Sequence, residues 1–246
     1  MSKALVTATW DDAPHLSQRE KDELYDSLPP HQKDARSKGV PSLGAGAIYP
    51  VAESEITCEP FKLPDYFEFF AGMDVGWQWT AAVFFARDPD TRNVYIYDVY
   101  KQGQREPSVH ADAIRARGDW IPIAIDPASR GRSQRDGEQL YQDYFDLGLD
   151  LVKANNSVEA GIYKFYQYLS GGKLKIFSTC KAFFEEYRVY HRDEKGQIVK
   201  QNDHVLDAGR YGLVTGIDYA MAKPLEEAWD DSPRQSGRDS NSVTGY

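Results

Sequence analysis

Residues 66–101 read YFEFFAGMDVGWQWTAAVFFARDPDTRNVYIYDVYK, and this stretch decides the fold. YFEFFAGMDVGW has the character of a buried strand running into a glycine. TAAVFFAR is a second apolar run of strand length. VYIYDVYK is a third, rich in the β-branched and aromatic side chains that suit a pleated surface. DPDTRN, between the last two, carries the Asp-Pro and Asn of a tight turn. Three strands with connections this short predict an antiparallel meander.

Downstream, strand and helix patterns alternate. Pro107 opens a helix to about Arg117. PIAID (122–126) reads as a short buried strand, and Gly137 to Leu147 as a helix. DLVKA is another strand, followed by a helix from Ser157, as N-cap, to Leu169, with Gly171 just beyond it. LKIF is a strand, and Cys180 to about Tyr190 a helix. HRDEKGQIVK suits a β-hairpin closing on Lys195-Gly196, and Asp203 to Val214 forms the last helix. A meander followed by such units predicts an α/β fold, a mixed central sheet with helices on both faces.

Upstream, residues 1–60 read as an arm. A short strand is expected in VTATWDDAPHLS, then a helix from the Ser17 cap to Ser27. Pro29, Pro30, Gly39, Pro41, Gly44 and Gly46 then break the chain, so 28–60 should be mostly loop, with one turn of helix around His31 to Ser37. The polar, Ser/Gly-rich end is expected to be disordered. The expected division is an arm at 1–60, a globular domain at 61–222 and a tail at 223–246.

A chain of 246 residues with 41% hydrophobic content can bury one sizeable core. Mean hydropathy is −0.61, and no apolar run approaches membrane-spanning length. The N-terminus has no signal-peptide pattern. Two distant cysteines, Cys58 and Cys180, give neither a disulfide framework nor a zinc knuckle, which points to a reducing compartment. The net charge of −9 by itself speaks against nucleic-acid binding. Locally the balance reverses: from Lys101 to Arg135 there are seven basic residues against four acidic ones.

Three aspartates stand out. Asp74 interrupts an apolar strand, where an isolated charge is costly unless paired, protonated or metal-bound. Gly72 and Gly76 flank it on the same face and leave room for an ion or a backbone. Asp126 ends the strand PIAID, and ligands gather at the carboxyl ends of parallel strands. Asp207 shares a helix face with Asp203 and Arg210, and His204 neighbours it. Singly, each has a plain structural explanation: a strand end, a turn, a solvated acidic face. Together, two strand-borne carboxylates and one on a late helix meet one requirement of two-metal phosphodiester hydrolysis, oxygen ligands for hard cations.

The sequence also resembles a known family. The pieces that carry the likeness are TWDDAPHLS with the later PP, AR and GVPSLGAGAIYP; GMDVGW; IAIDPAS; NNSVEAGIYKFYQYLSGGKLKIF; and NDHVLDAGRYG. In this order they resemble the C-terminal nuclease domain of the large terminase subunit of tailed bacteriophages, whose fold is RNase H-like. The resemblance implies a metal-dependent endonuclease that cuts concatemeric viral DNA as packaging starts and ends. It implies Asp74, Asp126 and Asp207 as the acidic triad binding Mg²⁺ or Mn²⁺ in a two-metal site, Asp203 as an auxiliary ligand and His204 as a catalytic neighbour. It also places the Lys195-Gly196 hairpin near the active-site groove. The implied partners are double-stranded DNA, the portal protein, the small terminase subunit and the ATPase domain of a longer chain, in the host cytoplasm and with no membrane. No GxxxxGK[ST] loop occurs, so ATP hydrolysis is not expected of these residues.

Arg130, Arg132 and Arg135, just after IDPAS, together with Lys195, are the expected phosphate contacts. Lys101, Arg105 and Lys153 are weaker candidates. The series Tyr163, Phe165, Tyr166, Tyr168 reads as core packing. Two other readings compete: a resolvase- or transposase-like nuclease of the same superfamily, and a non-catalytic DNA- or portal-docking module.

Overall fold

A computed structural model describes residues 9–27, 37, 46–126, 134–193 and 195–224, without the side chains of 11 and 134–138. The meander forms as expected. Strand β2 (Glu68–Asp74) pairs antiparallel with β3 (Thr80–Arg87), and β3 with β4 (Val94–Gln102). The strands β5 (Ile123–Ile125) and β6 (Leu151–Lys153) extend the sheet beyond β2 in parallel, and β7 (Leu174–Phe177) runs parallel to β4. Two short strands complete it: β1 (Thr57–Cys58) beside β7 and β8 (Met221–Ala222) beside β2. The order is β1-β7-β4-β3-β2-β5-β6, a mixed sheet.

Strand alternation sends side chains into two separate cores. Phe70, Val83 and Phe85 face α5 (Val158–Ser170), α6 (Lys181–Tyr187) and α7 (His204–Val214). Ala71, Met73, Ala82 and Phe84 face α3 (Pro107–Arg115) and α4 (Gln134–Asp146). By the same parity Gly72 and Asp74 share the α7 side. Of the space expected beside Gly72, the backbone of α7 takes the place: a Cβ there would run into the Ala208 carbonyl oxygen and the Gly212 amide. Phe165 is fully buried, and Tyr166 and Tyr168 pack against the same core, as expected of that series, while Tyr163 is exposed.

The upstream segment departs from expectation. Trp10–Asp12 is a turn of 3-10 helix, while residues 6–8, where the expected strand begins, lie outside the described residues. The helix after Ser17 does form (α1, Gln18–Ser27), and Ser17 and Glu20 bond reciprocally as a capping box. Residues 46–58 are not mere loop. They hold the short helix α2 (Glu53–Ile56) and β1, and they bury Tyr49, Val51 and Ile56 in the same core as β7. The reason is non-local: two strand residues gain a parallel partner more than a hundred positions downstream, which local periodicity cannot signal. The expected turn of helix at 31–37 lies outside the described residues apart from Ser37, and the tail lies outside them from residue 225 on. No helix among the described residues is long and apolar enough to cross a membrane.

Candidate active site

Asp74 is the last residue of β2, and Asp126 directly follows β5. The two strands are parallel neighbours with Met73 opposite Ile125, so both acids emerge at one sheet end. The Asp126 amide donates to the Met73 carbonyl at 3.3 Å, which locks that junction. Helix α7 crosses this end and brings Asp203 at its N-cap position, His204 as its first residue and Asp207 in its first turn. All four aspartates are at most 7% exposed. The reading of α7 as a helix with a solvated acidic face therefore does not hold: from Val205 to Leu213 every residue is buried.

The acids meet around specific partners. His204 Nδ1 lies 2.8 Å from Asp74 Oδ2. This bond raises the imidazole's pKa, against the lowering that burial alone would give. Arg210 Nη2 donates to Asp207 Oδ1 at 3.0 Å and the guanidinium lies over the Tyr211 ring. Lys200, at the foot of the 191–200 hairpin, brings its ammonium to 3.5 Å from Asp203 Oδ2 and 3.6 Å from Asp207 Oδ2. Tyr211 is the common neighbour. Burial raises its pKa first, and the charges of Asp126, Asp207 and Asp74 raise it further against Arg210.

Could these residues hold a hard divalent cation? The donors are carboxylate oxygens, which such ions require. One positive charge, the Lys200 ammonium, already sits between two of them. Among the described residues, however, no three His, Cys, Asp or Glu side chains are placed to close on one ion as they stand. The donor chemistry fits; as placed, the carboxylates of α7 are engaged by Lys200 and Arg210.

Sequence reasoning missed Glu186. It is buried in α6, and its Oε2 accepts the amides of Val205 at 2.8 Å and Leu206 at 3.2 Å. It thereby caps the first turn of α7 from outside, where N–H groups lack intrahelical partners. Its other oxygen pairs with Lys101 at 2.8 Å. Burial raises the Glu186 pKa, and Lys101 and the two amides work against that rise. A glutamate in a short amphipathic helix gives no local signal of this role.

Of the four expected phosphate contacts, Lys195 alone has a described side chain. Arg130 and Arg132 lie outside the described residues, as does the side chain of Arg135. The hairpin forms narrowly, through the Arg192–Ile198 bridge, with Lys195 exposed near its tip. Lys101 is committed to Glu186 and lies over the Trp79 ring at 4.8 Å. In the basic stretch, Arg115 pairs with Asp112 and Arg117 with Asp98. Lys153 lies over Tyr141.

Comparison with known proteins adds a second line. The profile of the family described as "Terminase RNaseH-like domain" matches residues 71–215, more than half of the chain. The terminase large subunit of Salmonella phage P22 is 36% identical over 221 residues, which cover 87% of this chain and 44% of that protein. The chain spans less than half the length of the curated relatives it matches. The solved nuclease domain of the P22 large terminase superposes with a TM-score of 0.68 at 36% identity, over 73% of this chain and 96% of that one. The large terminase nuclease of thermophilic phage G20c, solved with bound magnesium, shares the fold at a TM-score of 0.51 and 15% identity, over 70% of this chain and 99% of its own.

Proposed function

The chain belongs to the Terminase RNaseH-like domain family, and from that premise we propose that it is a metal-dependent DNA endonuclease of a phage packaging motor. The observation that carries this reading is that Asp74 and Asp126 leave adjacent parallel strand ends, with Asp74 bonded by His204 from the buried first turn of α7. The family match favours the terminase reading over a resolvase or a docking module.

In this reading Asp74, Asp126 and Asp207 hold Mg²⁺ or Mn²⁺ in a two-metal site, with Asp203 as auxiliary ligand. The G20c nuclease, which shares the fold, was solved with bound magnesium, which supports a divalent cation here. Bound divalent ions supply an activated water and neutralise charge at the phosphate being cut. The chain's own residues do the placing. His204 orients the Asp74 carboxylate, Arg210 fixes that of Asp207, and Glu186 holds the first turn of α7 against the sheet. Arg130, Arg132, Arg135 and Lys195 contact DNA phosphates. The substrate is concatemeric double-stranded viral DNA, cut when packaging starts and ends. The partners are the portal, the small terminase subunit and the ATPase domain of the longer protein, in the host cytoplasm.

The test is nicking of supercoiled plasmid. With Mn²⁺ or Mg²⁺ the chain should cut, with EDTA it should not, and Asp126→Ala should cut roughly a thousandfold more slowly or worse. Equal cutting by Asp126→Ala, or no cutting with either ion, would refute the assignment.

A further inference from the structure

The turn that leaves Asp74 places two tryptophans in solvent. Trp77 is 65% exposed and Trp79 41% exposed, whereas Trp120 packs edge-on against Phe69. Large apolar groups shown to water in one place mark binding surfaces, and tryptophan is prominent among residues that carry binding energy.

This turn is firmly built. The Gln104 amide donates to the Trp77 carbonyl at 2.9 Å, and the Thr80 hydroxyl donates to the Gly76 carbonyl at 3.2 Å. Gly103 approaches so closely that a Cβ would run into the Gln78 carbonyl oxygen. Gln104 takes a left-handed backbone, φ 55°, which a side-chain-bearing residue adopts only under constraint. The two loops enclose a shallow pocket of about 270 Å³ lined by Gln78, Trp79, Gly103 and Gln104. The Trp79 ring lies over Lys101, whose ammonium reaches Glu186 and so the first turn of α7.

We propose that Trp77 and Trp79 are an aromatic contact for the DNA strand at the acidic site, with an indole face packing on a deoxyribose or unstacked base beside the phosphate to be cut. This rests on the nuclease reading. A molecule docked on this turn lies next to Asp74, so the occupant that fits is the substrate. An acidic site repels phosphate, so an aromatic face beside it adds an attraction for nucleic acid that the local charge does not supply. Gln78 and Gln104 add amide donors and acceptors at the rim, and Arg105 follows as a cation.

The experiment compares the parent with Trp77→Ala, Trp79→Ala and Trp77→Phe in Mn²⁺-dependent plasmid nicking, with melting temperatures to confirm folding. Anisotropy of a dye-labelled duplex oligonucleotide reads binding independently of the tryptophans replaced. Trp77→Ala should raise KM and the oligonucleotide Kd about tenfold, with the loss in KM and not in kcat, and Trp77→Phe should recover most of it. Should Trp77→Ala and Trp79→Ala match the parent in KM and Kd while the parent nicks DNA, the proposal is overturned, the nuclease reading stands, and the turn belongs to a protein partner. A parent that neither nicks nor binds DNA overturns the nuclease reading, and this proposal with it.

Discussion

Buried carboxylates persist only where counter-charge or hydrogen bonds reach them. Asp74 has His204, Asp207 has Arg210, and Asp203 and Asp207 share Lys200. Of these cations Lys200 is the most exposed, its side chain at 47%, so its hold on the acids is screened and weak. On the proposed reading, a divalent ion bound by these acids would compete with that ammonium. Lys200→Ala should therefore tighten Mn²⁺ binding about two- to fivefold by calorimetry, since a surface ion pair is worth roughly 0.5–1 kcal/mol. Unchanged or weaker binding would show that Lys200 does not compete with the ion. Asp74 drew notice in the sequence because a charge inside an apolar run is itself an anomaly, and the family resemblance then selected Asp126 and Asp207 with it. Lys200 and Glu186 drew none: each sits in an ordinary polar context, and its role depends on a helix packed against it from elsewhere in the chain.

At the scale of elements, the site depends on how α7 seats on the sheet. Gly72 on β2 and Gly212 on α7 let the two backbones approach, and no larger side chain fits between them. Glu186 then holds the first turn, accepting from Val205 and Leu206 while paired with Lys101. Glu186→Ala should destabilise the fold by about 3 kcal/mol in urea unfolding, because it removes a capping acceptor and strands a mostly buried ammonium. Glu186→Gln, which keeps an acceptor oxygen, should lose less. A loss within 0.5 kcal/mol for Glu186→Ala, the ordinary range for surface changes, would contradict this role. The meander, the parallel strands and α7 were readable from strand alternation, apolar runs and helix punctuation. The short strand β1 was not, because Thr57–Cys58 becomes a strand only by pairing with β7.

Across the whole molecule, chain order and site order differ. Asp74 and Asp126 lie 52 positions apart and Asp207 a further 81, yet the parallel pairing of β2 with β5 and the passage of α7 over both bring them to one end of the sheet. The two cores on either side fix that sheet, and the upstream residues Tyr49, Val51 and Ile56 complete one of them. The folded chain thus presents an acidic end beside an exposed tryptophan turn, on a protein of net charge −9. An acidic site on an acidic protein makes sense for phosphate chemistry only if cations complete it. The most direct measurement is anomalous scattering from crystals soaked in Mn²⁺. The account predicts a peak within about 2.2 Å of carboxylate oxygens from Asp74, Asp126 and Asp207 together, with Lys200 turned away. Manganese bound elsewhere, or no peak among these three side chains at saturating Mn²⁺, would contradict it.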